Sequence, residues 1–228
     1  MRLLGVLPSK CFLAVSGGAD SMAALDFLTR DGKRDVTVMH YNHGTTFGHV
    51  AEGFVTAYCA DRNIPCIVGH YGADGNELSE ADWRKYRYEF FESRFTLPGQ
   101  VSVELEDQKL ITAHNLDDVI ETWIFYSLRG VPKRIPYQRG LDIIRPFLPT
   151  TKANMERWCS EYDVPYLTDP ANASEKHART IIRHKIMPHA LKVNPGLYTT
   201  IRKMVESDPS CEKNCDEGIY YGPTLGGR

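Results

Sequence analysis

Phe12-Leu13-Ala14-Val15 runs directly into Ser16-Gly17-Gly18-Ala19-Asp20-Ser21, and from there into an amphipathic stretch over 19–30. An apolar run, a glycine turn and a helix start in immediate succession make a βα unit, which commits the chain to a parallel sheet covered by helices. The turn itself suits a polyphosphate. Gly17 and Gly18 allow positive φ and close backbone approach, the N–H groups at a helix start face an anion, and Ser16 and Ser21 add hydroxyl donors. A Gly-Lys-Ser/Thr sequence and a GxGxxG fingerprint are both missing, so neither a P-loop nor a dinucleotide site is expected. Asp20 is the most informative position, because a carboxylate one turn from phosphates repels them unless a divalent cation lies between. Complementing the helix dipole is its alternative role.

The same alternation continues along the first 130 residues. Strands are expected at 12–15, 36–40, 64–68 and 109–113, with a fifth at 143–148. Between and after them the spacing predicts helices at 19–30, 50–62, from Ser79 onward with Asp82 closing a capping box, from Leu116 to Arg129-Gly130, and at about 152–163, 175–190 and 196–206. Residues 96–108 suit a loop or hairpin. The final stretch, holding Cys211 and Cys215, is rich in glycine and polar residues and suits a loosely held tail.

With 42% hydrophobic and 25% charged residues and a mean hydropathy of −0.36, the 228 residues exclude a disordered or low-complexity chain. No apolar run approaches the ~18 residues of a bilayer span, and Pro8 and Lys10 break the short apolar start, so no membrane and no signal peptide are expected. Six irregularly spaced cysteines fit a reduced, cytoplasmic protein better than a disulfide scaffold. Charge is unevenly spread: residues 1–128 sum to −7, 129–203 to +8 and 204–228 to −3. A basic segment following an acidic one hints at an anionic partner, although an uneven solvated surface has the same signature.

A second strand-to-helix junction carries Ala113-His114-Asn115-Leu116-Asp117-Asp118-Val119-Ile120-Glu121-Thr122, with Arg129-Gly130 after it. The apolar stripe turns inward and leaves Asp117, Asp118 and Glu121 in the first turns of the helix. Carboxylates favour a helix start on electrostatic grounds alone. The functional alternative is a set of carboxylates and an imidazole facing the phosphate loop across the carboxyl edge of the sheet, where ligands of α/β sheets bind. Arg179 and Arg183 lie one helical turn apart, a spacing suited to bidentate phosphate contact or to a solvated basic face.

Ser16–Ser21 resembles the pyrophosphate-binding loop of the N-type ATP pyrophosphatases, the PP-loop superfamily. The string from Ala113 to Thr122 with Arg129-Gly130 resembles the signature of tRNA(Ile)-lysidine synthetases. Further pieces match that family in order: His40-Tyr41-Asn42-His43-Gly44; Glu80-Ala81 with Arg84 and Arg87-Tyr88; Arg145-Pro146-Phe147-Leu148; Asp169-Pro170-Ala171-Asn172; and Arg179 and Arg183 before Ile186-Met187-Pro188. Thr45-Thr46, Trp83 and Thr180 depart from it. The resemblance covers about 11–190 and is to a short form lacking the usual C-terminal region.

That resemblance implies a parallel α/β sheet of the adenine-nucleotide α-hydrolase (Rossmann-like) type with a small C-terminal helical lobe. The expected division is a PP-loop ATP-binding catalytic domain at 1–132, a basic helical lobe at 133–206 and a tail at 207–228. It implies ligation of lysine to C2 of a tRNA wobble cytidine, with ATP and Mg2+ consumed or required. By resemblance, the nucleotide contacts fall to Ser16, Gly17, Gly18, Ala19, Asp20, Ser21, His40, Arg129 and Gly130. Asp20 and Asp118 are the expected metal ligands, and Asp20, His114, Asp117, Asp118, Arg179 and Arg183 the expected catalytic groups. The implied partners are lysine and the anticodon region of a tRNA, and a homodimer is left open. A tRNA-cytidine thiolase, another adenylating synthetase and an ATP-binding regulatory domain without turnover are the alternatives. Cys211-x-x-x-Cys215 lies in the tail, outside the catalytic half where an iron–sulfur thiolase would carry its cysteines.

Overall fold

The computed structural model describes residues 1–72, 78–93, 108–140, 142–170 and 178–207. Its opening unit is β1 (Lys10–Ala14), the glycine turn and α1 (Ala19–Thr29). Then come β2 (Asp35–Asn42), α2 (Thr46–Asp61), β3 (Cys66–His70), α3 (Glu80–Ser93), β4 (Lys109–Thr112) and α4 (Leu116–Ser127). Two short strands, β5 (Gln138–Arg139) and β6 (Ile143–Ile144), precede α5 (Lys152–Glu161). A continuous helical segment follows as α6 (Ala178–Ile181), a π-turn over Ile182–Ile186 and α7 (Met187–Val193), and α8 (Leu197–Glu206) closes the described chain.

The strands lie in the order β3-β2-β1-β4-β6-β5, and all neighbours are parallel except β5 against β6. β2 and β4 flank β1 on opposite sides, so the strand order reverses at β1. The crevice at that reversal is the usual ligand position of an open α/β sheet, and both the glycine turn and the start of α4 open into it. Leu13, Val38, Leu110 and Ile111 are fully buried in the central strands, each contributing roughly 1.5–3 kcal/mol by burial. The core around Leu13, Val38 and Ile111 continues through Met155 and Cys159 of α5 to Ile182, Met187, Leu197, Ile201 and Val205, while Leu110 packs in a second cluster with Phe12 and Met39.

Local chemistry explains the element ends. Asp82 and Ser79 bond reciprocally and open α3 as a capping box. α2 begins four residues before its expected start because the Thr45 hydroxyl accepts from the Gly48 amide. α2 and α5 end alike: Asn63 (φ 54°) and Asp163 (φ 51°) take the left-handed conformation, and the amides of Ile64 and Val164 return to the carbonyls of Cys59 and Cys159 at 2.9 and 2.8 Å. α5 is held on α1 by Trp158, whose indole N–H donates to Asp26 at 2.8 Å and whose ring meets Phe27 edge-on. That contact brings the start of α5 to the glycine turn.

The expected strand over 143–148 shrinks to two residues. The Arg145 guanidinium bonds the Pro136 carbonyl, and Thr150 N bonds the Phe147 carbonyl, so the chain turns instead of extending. Of the helix expected at 175–190, the part from Ala178 is described, and it is interrupted by the π-turn. Asn172, most of 96–108, Cys211 and Cys215 lie outside the described residues. Among the described residues no helix is long and apolar enough to cross a membrane.

Candidate active site

Gly17 turns the chain at φ 88° between β1 and α1, and Gly18 caps the helix without a side-chain bond to its first amides. Those amides are left for a ligand. The turn is internally braced: Ser16 N and Ser16 Oγ both lie 3.2 Å from Ser21 Oγ, which donates to the Gly18 carbonyl at 3.0 Å. From outside, the Leu167 amide donates to the Gly17 carbonyl at 2.9 Å, so residues beyond α5 fix its shape.

Asp20 stands in the first turn of α1. Its Oδ2 is 3.7 Å from the Lys152 ammonium, while its Oδ1 is buried and has no hydrogen-bond partner. Burial pushes the carboxyl up to about 6; Lys152 and Arg183 oppose the rise, and Asp118 and Glu156 add to it. A half-satisfied carboxylate beside bare helix amides has the chemistry of a cation ligand that also faces phosphates. Among the described residues no three His, Cys, Asp or Glu side chains converge on one point. A cation held here would therefore need phosphate oxygens and water to complete its shell, as Mg2+ commonly does.

The three carboxylates of α4 have separate duties. Asn115 caps the helix, accepting from the amides of Asp117 and Asp118, and Asp118 Oδ2 accepts from Asn115 N at 3.0 Å in return. Asp118 Oδ1 lies 3.8 Å from the Arg183 guanidinium. Asp117 is fully engaged in structure: Oδ2 accepts from the Lys152 amide at 2.7 Å and Oδ1 from the Tyr198 hydroxyl at 2.5 Å. It ties α4 to α5 and α8. Glu121 is buried and receives two N–H groups of Arg183, at 2.6 and 3.0 Å. Asp20, Asp118, Glu121, Lys152 and Arg183 thus form one alternating charge cluster, with Asp20 at its edge nearest the glycine turn.

A positive wall faces it. His114, at the end of β4, has Nδ1 2.8 Å from the Thr112 hydroxyl. Burial, then Arg145, Arg87, Arg84 and Arg179, holds the ring neutral with its pKa down to about 3. His43 is pushed down to about 4 by burial and Arg87. His40 Nδ1 lies 2.8 Å from the Val15 carbonyl, which only accepts, so Nδ1 carries the proton. Its Nε2 is buried with no hydrogen-bond partner. Two imidazoles held neutral by burial, with arginine charge adding to the effect, leave a positive field that suits an anion.

Arg129 and Gly130 stand apart. They follow the C-terminal end of α4, a 12-residue helix about 18 Å long, whose opposite end carries Asp118. Sequence reading passed over Lys152, Tyr198 and the convergence of Arg84, Arg87 and Arg145 on His114. Each depends on contacts across many residues, and no local pattern signals them.

A family model described as a PP-loop domain (ATP_bind_3) matches residues 6–190. The bifunctional protein TilS/HprT of Listeria innocua is 33% identical over 215 residues, covering 86% of this chain and 32% of that protein. The tRNA(Ile)-lysidine synthase of Staphylococcus aureus is 32% identical over 191 residues, covering 77% of this chain and 43% of its own length. The chain spans about a third to two fifths of the length of these curated relatives. Among solved structures, the U34-tRNA thiolase NcsA of Methanococcus maripaludis, with its [4Fe-4S] cluster, superposes with a TM-score of 0.65 at 18% identity, over 86% of this chain and 70% of that one. That likeness is one of fold.

Proposed function

This chain belongs to the PP-loop family, and from that membership we propose that it consumes ATP to modify a tRNA, ligating lysine to C2 of a wobble cytidine. The observation that carries the reading is Asp20: a half-buried carboxylate with one buried, unpartnered oxygen, set among the bare amides of a glycine turn and held between Lys152 and the Asp118–Arg183 pair. Lysidine formation in particular rests on the ordered motifs and on the two relatives at 32–33% identity.

In this reading the turn from Ser16 to Ser21 binds the β- and γ-phosphates. The C2 carbonyl oxygen of cytidine attacks the α-phosphate, pyrophosphate leaves, and the lysine ε-amine then displaces AMP from C2. Asp20 and Asp118 Oδ1 would hold Mg2+, which when bound offsets the charge building on the α-phosphate and leaving group. Asp117 is excluded from that duty by Lys152 and Tyr198. Arg183, anchored by Glu121, supplies a fixed positive charge at the reacting phosphate without needing to be ordered on binding. Arg179, together with Arg84, Arg87 and Arg145, supplies the positive field on the other side. The lysine amine must lose a proton. His114, held neutral first by burial and then by those guanidinium groups, has a free imidazole lone pair for it, and an adenylate anion beside the ring would offset the arginine part of that effect.

The test is incorporation of labelled lysine into bulk tRNA and into an isolated anticodon stem-loop, with pyrophosphate release followed in parallel. We expect release that depends on RNA, lysine incorporation into both substrates, and binding that weakens steeply with salt. Pyrophosphate release with no lysine incorporated into any RNA would favour a thiolase or another adenylating synthetase. No pyrophosphate release with any cytidine-bearing RNA would leave an ATP-binding domain without turnover.

A further inference from the structure

The C-terminal end of α4 has no part in the site just described, and its surface is unusual. From Thr122 to Leu141 the sequence holds no Asp or Glu, and its stretch over 125–134 contains Arg129, Lys133 and Arg134 with Phe125 and Tyr126. Residues 128–134 are all exposed in succession. Leu128 keeps 70% and Val131 56% of its surface in solvent. Isolated apolar residues at a surface are ordinary, but here they alternate with cations stacked on rings. The Arg129 guanidinium lies 4.0 Å from the Phe125 ring centre, the Lys133 ammonium 5.4 Å from that of Tyr126, and the two rings meet edge to face at 5.3 Å.

Gly130 makes this arrangement rigid. At φ 77° it reverses the chain, and its amide and that of Val131 return to the carbonyls of Ser127 and Tyr126 at 3.0 and 3.2 Å. The reversal brings Lys133 back over Tyr126. A guanidinium already stacked on one face keeps its opposite plane for a nucleobase and its edge N–H groups for phosphate. Apolar side chains beside it cover the edge of an unstacked base. The absence of acidic residues across 122–141 matches a polyanion in charge. The ridge shares its helix with the site, because Glu121, one turn before Phe125, anchors Arg183.

We infer that the surface over 125–134 is a stacking platform for unpaired nucleotides of the RNA substrate, flanking the nucleotide that reacts. This rests on the RNA-modifying reading above and adds to it a surface that holds the strand next to the modified base.

Binding of a labelled anticodon stem-loop with a wobble cytidine, measured at several salt concentrations, tests it on the full chain. Lys133→Ala should weaken binding and reduce the log–log salt slope by about one unit. Arg129→Lys keeps the charge and loses the plane, so its slope should stay while affinity falls roughly 5- to 150-fold, the loss of one base stack. Unchanged melting temperatures in both variants, whose side chains are exposed, would exclude misfolding. Wild-type binding that both variants retain in full overturns the platform and leaves the RNA-modifying reading standing. No stem-loop binding by the wild type overturns both. Self-association of the wild type that Leu128→Ser abolishes, with RNA binding intact, would assign the ridge to a second copy of the chain and also overturn the inference.

Discussion

Asp20→Asn should make the metal-free protein more stable and catalytically dead. In the folded chain burial raises the carboxyl from 3.8 to about 6. Between those values the folded state binds more protons than the unfolded state, so stability falls as pH rises through that window and the cost persists above pH 6. At ~1.4 kcal/mol per tenfold change in proton affinity, a displacement of this size corresponds to ~3 kcal/mol at neutral pH. The side chain keeps 30% of its surface exposed, and solvent screening brings the expected gain on neutralisation to ~1–2 kcal/mol. Asparagine has the same shape and no charge to desolvate. For a chain of this length the gain is a rise in melting temperature of roughly 2–8 °C. Thermal unfolding without divalent cations should show it at about pH 7.5 and lose most of it at about pH 4.5, where the wild-type carboxyl is protonated in the folded state. The same variant should lose the extra stabilisation that Mg2+ and ATP give the wild type, and should release no pyrophosphate. A variant less stable than wild type at neutral pH, or one still stabilised by Mg2+ with ATP, would refute a strained carboxylate reserved for a cation.

Gly17→Ala should cost about 1–2 kcal/mol through its φ of 88°, its new Cβ meeting Val55 of α2 only in ordinary contact at 3.4 Å, and the strained turn should bind ATP more weakly; unchanged ATP affinity by calorimetry would count against a phosphate loop. Arg183→Ala leaves Glu121 buried and unpaired, at a cost of about 3 kcal/mol in urea unfolding, and adding Glu121→Gln should recover part of it; strictly additive losses would sink the pairing argument. His43 and His114, with pKa values down to about 4 and about 3, should not titrate between about pH 5.5 and 8 in the ligand-free protein when followed by NMR. Their neutral state costs stability only as pH falls below the ordinary imidazole value, so acid should destabilise the fold; ring signals titrating near 6.5 would contradict the arginine field.

What the sequence conveys here is what is decided within one or two turns of chain. The glycine turn, the Ser79–Asp82 box and the inward stripe Leu116, Val119, Ile120, Trp123 and Ile124 all involve neighbours at most a few residues apart, and the structure has each of them, with Trp123 alone of the stripe only half-buried. The parallel order of the sheet follows from the alternation of strands and helices. Asp117 and Asp118 are indistinguishable in sequence, both acidic and both in the first turn of α4. Their roles are separated by Lys152, 35 residues away, and Tyr198, 81 residues away, which consume both oxygens of Asp117 and none of Asp118. Glu121 looks like a third surface acid until Arg183 arrives from 62 residues downstream and makes burial affordable. Lys152 follows only a helix cap, Thr151, and nothing local marks it as the cation beside Asp20; its place depends on Trp158 pinning α5 to α1. A chain could therefore keep the whole string from His114 to Thr122 and still lose the charge cluster, if α5 or α8 docked one turn out of register. The residues that decide this reaction are as much Trp158 and Tyr198, which touch no phosphate in the proposed chemistry, as the acids that the motif displays.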